Sequence, residues 1–213
     1  ADNAVTLAKM ASGTDGEILT YDASGNPTSV SVGTDGQVLT STGVGSPPAF
    51  EAAAAGGKLL QVVSATTGAK FSVTGKTFTT VTGLSPSITP ISTSSKILIT
   101  LNLNLSASVR YCGVKIYRDS TQIGMGDVDG SRSRISMQSM RNQNATNDQY
   151  VMHNASTAYL DSPSTTSAIT YTVRIASVDD TGAVTHINRS DFDANDSYNS
   201  VGISTITLME IQG

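Results

Sequence analysis

Residues 97–105 read Ile-Leu-Ile-Thr-Leu-Asn-Leu-Asn-Leu. Ile97, Ile99, Leu101, Leu103 and Leu105 fall on one side of an extended chain, and Thr100, Asn102 and Asn104 on the other. Strict period two over nine residues is the pattern of a strand with one face in a core and one face in water. A helix would scatter these five apolar side chains around its circumference. The stretch therefore makes this part of the chain β, and its neighbours extend the reading.

Downstream, Gly113–Arg118, the pair Asp119-Ser120 and Thr121–Gly124 predict two short strands joined by a tight hairpin turn. Tyr159-Leu160 precedes a break at Asp161-Ser162-Pro163. Residues 169–175, Ile-Thr-Tyr-Thr-Val-Arg-Ile, alternate again, and residues 203–211, Ile-Ser-Thr-Ile-Thr-Leu-Met-Glu-Ile, form a further strand. Short strands at close spacing with turn residues between them predict an all-β domain over 57–213, a β-sandwich of jelly-roll-like kind. In the strand at 203–211, Ile206 and Leu208 lie on one face, and Ile203, Met209 and Ile211 mostly on the other. A strand apolar on both faces asks to be covered on both. At the margin of its domain it is expected to be an edge strand covered by another subunit, so Ile206, Leu208, Met209 and Ile211 are candidate trimer-interface residues.

Residues 1–56 have a different texture. Gly13-Thr14-Asp15-Gly16-Glu17-Ile18-Leu19-Thr20 returns as Gly33-Thr34-Asp35-Gly36-Gln37-Val38-Leu39-Thr40. Each copy reads as a Thr-Asp-Gly turn followed by one short strand, closed by a second turn at Ser24–Pro27 or Gly45–Pro48. Ile18, Leu19, Val38 and Leu39 are the strong hydrophobes of the two copies. So few apolar side chains do not offset the ordering cost of some forty residues, about 1–2 kcal/mol each for the backbone alone. Repeats that cannot bury a face alone stack on something else. The segment is therefore expected to be an attachment and trimerisation arm. Glu51–Gly57, rich in Ala and Gly, reads as a joint.

Composition narrows the function classes. The chain has 213 residues, of which 14% are charged, with 19 Gly, no Trp and a formal net charge of −4. No basic run tracks a phosphate backbone, which argues against nucleic-acid binding. No apolar run approaches the length that crosses a bilayer, and residues 1–11 lack the basic start and apolar run of a secretory signal. The lone Cys112 reads as a buried small hydrophobe rather than a reactive thiol.

Catalytic constellations are weak. His153 and His186 lack metal-ligand spacing, and no Gly-x-Ser-x-Gly elbow supports a Ser-His-Asp set. Asp191–Asp196 begins like a calcium loop, then places Asp196 where Gly is needed and Gly202 where Glu is needed. Asp127–Gly130 is shorter still. Carboxylate pairs for glycoside cleavage can be drawn from Asp179, Asp180, Asp191 and Asp193, but a sugar-cleaving groove usually carries stacking aromatics, and Trp is absent. The chain is read as a non-enzyme without a cofactor. The polar stretch 137–148, with Arg132, Arg134, Arg141, Asn142 and Asn144, is the candidate ligand-binding loop, suited to hydrogen bonding with sugars or proteins.

The repeat GTDGQVLTSTGVGSPPAFE (residues 33–51) resembles a module of tail-fibre and virion-appendage proteins of tailed bacteriophages. YLDSPSTTSAITYTVRIAS (159–177) and STITLMEIQG (204–213) resemble the tip domains of such fibres, more loosely. The resemblance covers the N-terminal segment and about a third of the rest. It implies a virion structural protein, made in the infected bacterial cytoplasm: a homotrimer whose arm joins other virion proteins and whose knob meets a host-surface glycan or protein. Long fibres have extended stalks, and two copies suit a short fibre, a spike or a cement protein clamping shell subunits. A polysaccharide depolymerase tip is the third alternative.

Overall fold

The computed structural model describes residues 12–53, 57–108, 110–141, 147–178 and 181–213. The chain divides into two compact units, Ala1–Ala55 and Gly56–Gly213.

The first unit holds two hairpins. β1 (Ile18–Tyr21) pairs antiparallel with β2 (Pro27–Val30), and β3 (Gln37–Thr40) with β4 (Ala49–Ala52). The repeat is thus a turn followed by a hairpin, not by a single strand. Ser24–Pro27 and Gly45–Pro48 do not close the copies: Ser24, Gly25, Asn26 and residues 45–48 belong to the connections inside each hairpin, and Pro27 opens β2. The Asp22 carboxylate explains the first connection, since it accepts the backbone N–H of Ser24 and of Asn26, both at 2.9 Å, as Asp side chains do in tight turns. In the second, the Thr42 hydroxyl donates to Pro47 O at 2.6 Å.

The Thr-Asp-Gly turns are built alike in both copies. Glu17 N–H donates to Thr14 O at 3.1 Å, and Gln37 N–H to Thr34 O at 3.1 Å. In return Glu17 Oε2 accepts from Thr14 N at 3.1 Å and Gln37 Oε1 from Thr34 N at 2.8 Å. This accounts for the exchange of Glu for Gln between copies: the turn uses only the side-chain oxygen, which both supply, while Gln37 Nε2 also reaches Phe50 O at 3.5 Å. Gly16 and Gly36 take φ of 82° and 84°, the left-handed third position that such a turn requires.

The second unit is an all-β sandwich of two antiparallel sheets. One contains β5 (Leu59–Thr67), β6 (Phe71–Thr74), β9 (Lys96–Ala107), β13 (His153–Asp161), β15 (Val184–Ile187) and β16 (Ser204–Ile211), with order β5-β16-β9-β15-β6. The free length of β9 beyond β15 is taken by β13, which pairs from Ile97↔Asp161 to Leu105↔His153. The other contains β7 (Thr79–Thr80), β8 (Ser87–Ile88), β10 (Tyr111–Arg118), β11 (Thr121–Ile123), β12 (Met137–Met140) and β14 (Ile169–Ser177), centred on the β10–β14 pair. The expected hairpin is β10–β11, with Arg118 opposite Thr121 and Asp119 in the turn at φ 51°.

The five alternating side chains of β9 face inward and are essentially buried. Across from them lie Cys112, Val114 and Ile116 of β10 and Tyr171, Val173 and Ile175 of β14. Gly113 is there because nothing larger fits: an added Cβ would sit 2.6 Å from Val178 Cγ1 and 3.2 Å from Phe78 Cζ.

β16 corrects the reading of residues 203–211. It is an inner strand, held by β5 on one side and β9 on the other. Ser204, Ile206, Leu208 and Glu210 point into the sandwich, and Ile206 and Leu208 are fully buried in the chain's own core. Their burial needs no second subunit. Met209 and Ile211 share the outer face and are half-buried, while Ile203 precedes the strand and is exposed.

Candidate functional site

Polar side chains from distant parts of the sequence gather where β6, β15 and the loop 188–203 meet. β6 and β15 pair with Ser72 opposite His186, and the exposed Ser72 hydroxyl lies 2.8 Å from His186 Nδ1. His186 Nε2 lies 3.2 Å from Asp191 Oδ1. Asp191 Oδ2 accepts from Arg141 at 2.6 Å, and the same guanidinium nitrogen donates to Ser108 O at 2.9 Å. Beside this set, Lys70 Nζ reaches Asp193 at 2.7 Å, and Arg189 lies 3.6 Å from it.

The contacts run in the order Ser-His-Asp, with Ser72 on Nδ1 and Asp191 on Nε2, the reverse of the nitrogens a hydrolase relay uses. The electrostatics also oppose such use. A general base must become cationic during acyl transfer, and the acid behind it stabilises that cation. Burial of the imidazole, and then the Arg189 charge, push the His186 pKa below its ordinary value despite Asp191. Asp191 is also shared with Arg141. The cluster is better suited to hold the loop against the sheet: β6, β15, residue 141 at the end of β12 and the 188–203 loop are all tied through it. The Asp193 carboxyl is held below the usual range by the Lys70 hydrogen bond, so the two acids that resembled a calcium loop each face a cationic partner. Among the described residues no group of three or more His, Cys, Asp or Glu is placed to hold a metal ion.

The loop has a second lock. The buried Ser190 hydroxyl lies 2.7 Å from Asn199 Oδ1 and 3.0 Å from Phe192 O. Asp196 Oδ1 accepts the backbone N–H of Tyr198 at 3.0 Å and of Asn199 at 3.1 Å. Phe192 N–H donates to Gln149 O at 3.0 Å, which ties this loop to the short 3₁₀ turn Asp148–Tyr150. Between them opens a cleft of about 430 Å³ lined by Asn147, Tyr150, Val151 and Tyr198. Phe192 packs edge-on to Tyr150, with ring centroids 5.4 Å apart and planes at 79°. Sequence reading missed this cleft. Its aromatic residues lie more than forty positions apart along the chain, and no local pattern joins them.

The described residues of the candidate ligand loop are not gathered in this way. Arg132 is exposed and paired with Asp129 at 2.5 Å, Arg134 donates from Nε to Gly126 O at 2.7 Å, and Arg141 belongs to the Asp191 cluster. Asn142 and Asn144 lie outside the described residues. In the first unit, Leu19 is 58% exposed, Val38 44% and Leu39 45%, with Ile18 half-buried. Cys112 is buried, and burial pushes its thiol pKa up to about 11.

No family model matches the chain, and no curated protein matches it. Among solved structures it is similar to the VP2 subviral particle of infectious bursal disease virus, at 13% identity and a TM-score of 0.33, over 86% of this chain and 43% of that one. It is similar also to the Gt strain of that virus, at 12% identity and 0.33, over 83% of this chain and 47% of that one. The Gx strain gives 13% and 0.29, over 82% and 41%. The chain therefore spans less than half the length of these solved chains.

Proposed function

We propose that the protein is a bacteriophage virion structural protein: a short homotrimeric fibre or spike whose two-hairpin unit attaches it to other virion proteins and whose sandwich is presented outward to the host surface. In this reading it catalyses no reaction. One observation carries it. Among the described residues of the first unit no apolar side chain is fully buried, and Leu19, Tyr21, Val38 and Leu39 are substantially exposed, whereas the sandwich has its own buried core. Apolar side chains fixed on small hairpins favour a covering surface, worth roughly 1.5–3 kcal/mol for each one fully buried. Ile18, Leu19, Val38 and Leu39 are the anchors in this reading. Met209 and Ile211, on the outer face of β16, remain the residues available to a trimer contact, and Ile206 and Leu208 support it only from inside the core.

Deleting residues 1–50 tests the assignment. The expected product is a soluble, folded sandwich that no longer incorporates into particles. Truncated protein mounted on virions at normal occupancy overturns it. A cement protein, the second reading, shares the attachment unit; a particle map showing the chain flat across subunit joints, rather than projecting, selects it.

A further inference from the structure

We propose that the cleft between the Asp148–Tyr150 turn and the 191–201 loop is a binding site for a neutral saccharide. The inference deepens the reading of an outward-facing knob and rests on it only for the source of the ligand, a host-surface polysaccharide.

The chain has few aromatic residues, 7 Tyr, 4 Phe and no Trp, yet three stand together here. Tyr198 is 78% exposed and Phe192 47%. Exposed aromatic rings gathered beside a cleft offer a ligand a stacking surface. The loop is held firmly: Asp196 fixes the Tyr198 backbone, Ser190 fixes Asn199, and Gln149 O holds Phe192 N–H. Phe192 in turn braces Tyr150 from the side. The Tyr150 ring and the Tyr198 backbone are therefore held in place, which lowers the ordering cost of binding.

The remaining lining selects the ligand class. Asn147 and Val151 also line the cleft, and among the described residues no charged side chain does. An amide beside aromatic rings matches a pyranose, whose C–H face stacks on the ring while its hydroxyls bond the amide and the tyrosine hydroxyls. Across Tyr198 and Asn199 lies a second, polar depression of about 410 Å³, lined among others by Asn195, Asp196 and Asn199. Lys70 and Asp193 also line it and pair with each other at 2.7 Å, and its amides offer donors and acceptors for a further sugar residue.

The test is a glycan array probed with the full-length protein, with neutral hexose oligosaccharides and sialylated oligosaccharides printed side by side. Binding is then titrated by tyrosine fluorescence with the best neutral ligand. Saturable binding to neutral oligosaccharides is expected. Tyr198→Ala should weaken it about tenfold or more, and Tyr198→Phe by less than about threefold. Because Tyr198 is exposed, neither change should alter the melting temperature. Absence of neutral-glycan binding, preference for the sialylated spots, or binding to a peptide library in place of glycans overturns the inference. So does neutral-glycan binding indifferent to Tyr198→Ala. Immunogold labelling of particles separates the two readings. Labelled particles without glycan binding sink this site alone, and glycan binding with unlabelled particles sinks the virion assignment alone.

Discussion

The Tyr171 hydroxyl on β14 donates across the sandwich to Asp161 Oδ2 on β13 at 2.7 Å. Arg118 of β10 approaches both oxygens of the same carboxylate at 2.9 Å. Asp161 is almost fully buried, so one carboxylate joins the two sheets where apolar packing alone would leave them free to slide. Burial, and then the hydrogen bond to Asp161, raise the Tyr171 pKa far above its ordinary value; the phenol stays a donor.

Asp161→Ala strands a guanidinium and a buried hydroxyl. Removing one partner of such a buried pair costs about 3–5 kcal/mol when the other charge cannot reach water. The Arg118 side chain is 26% exposed and can turn outward, so a loss of about 2–3 kcal/mol is expected, or roughly 5–10 °C in Tm. Asp161→Asn should cost less, because it keeps an acceptor for Tyr171. Thermal melts of both variants check the order, and an unchanged Tm for Asp161→Ala would falsify the account.

Glu210 ends the inward face of β16. Its Oε2 accepts from Gln61 at 2.5 Å and its Oε1 from Ile91 N–H at 2.7 Å. Desolvation alone would raise its pKa, but the hydrogen bonds it accepts outweigh this and lower it from 4.5. A carboxyl with a depressed folded pKa contributes stability that is present above the unfolded value and lost as pH falls through the folded one. The urea midpoint should therefore drop as pH falls below about 4.5, and Glu210→Gln should reduce that slope while costing about 1–3 kcal/mol at neutral pH. Equal slopes in both proteins would refute the role given to Glu210.

Ser72 and His186 make a second prediction about ionisation. The His186 pKa lies below its ordinary 6.5 in the folded chain. The unfolded state then protonates first, and stability should decline as pH falls from about 6.5 toward the folded value. His186→Asn should flatten that decline. No covalent adduct is expected at Ser72 with a fluorophosphonate at neutral pH, because the cluster resists the imidazolium that acylation requires. An adduct lost in both Ser72→Ala and His186→Asn would show an active nucleophile.

Cys112 should be silent to a disulfide reagent in the native protein. Its thiol is buried, and the raised pKa leaves little thiolate at neutral pH. Full reaction is expected only after addition of denaturant. Prompt reaction of native protein would mean that β10 opens locally.

How much of this could be read from the chain differs by element. β9 and the β10–β11 hairpin follow from local pattern, since alternation and a two-residue turn act between near neighbours. β16 did not. Its apolar residues were visible, but β5, which covers one of its edges, comes from the opposite end of the domain, and no local rule assigns that neighbour. β2 and β4 were missed because Pro27–Val30 and Ala49–Ala52 lack alternation and are strands only by pairing with β1 and β3. The 147–201 cleft and the Asp161 bridge were illegible for a related reason. Their members are ordinary polar and aromatic residues until tertiary structure brings them together.

The pairing of β5 with β16 also has a mechanical consequence. Gln212 N–H bonds Lys58 O at 2.9 Å, and the ladder runs from there to Ser204↔Thr67. A load entering at Lys58 and pulling along β5 meets this ladder in shear, so its bonds must yield together rather than unzip one by one. Forced unfolding is governed by the unfolding barrier, and here that barrier is set at the strand where tension enters. A pulling experiment anchored at Lys58 and at Arg110, before β10 at the opposite end of the strands, should record a single high-force rupture, and a series of small steps would show that β5 peels away.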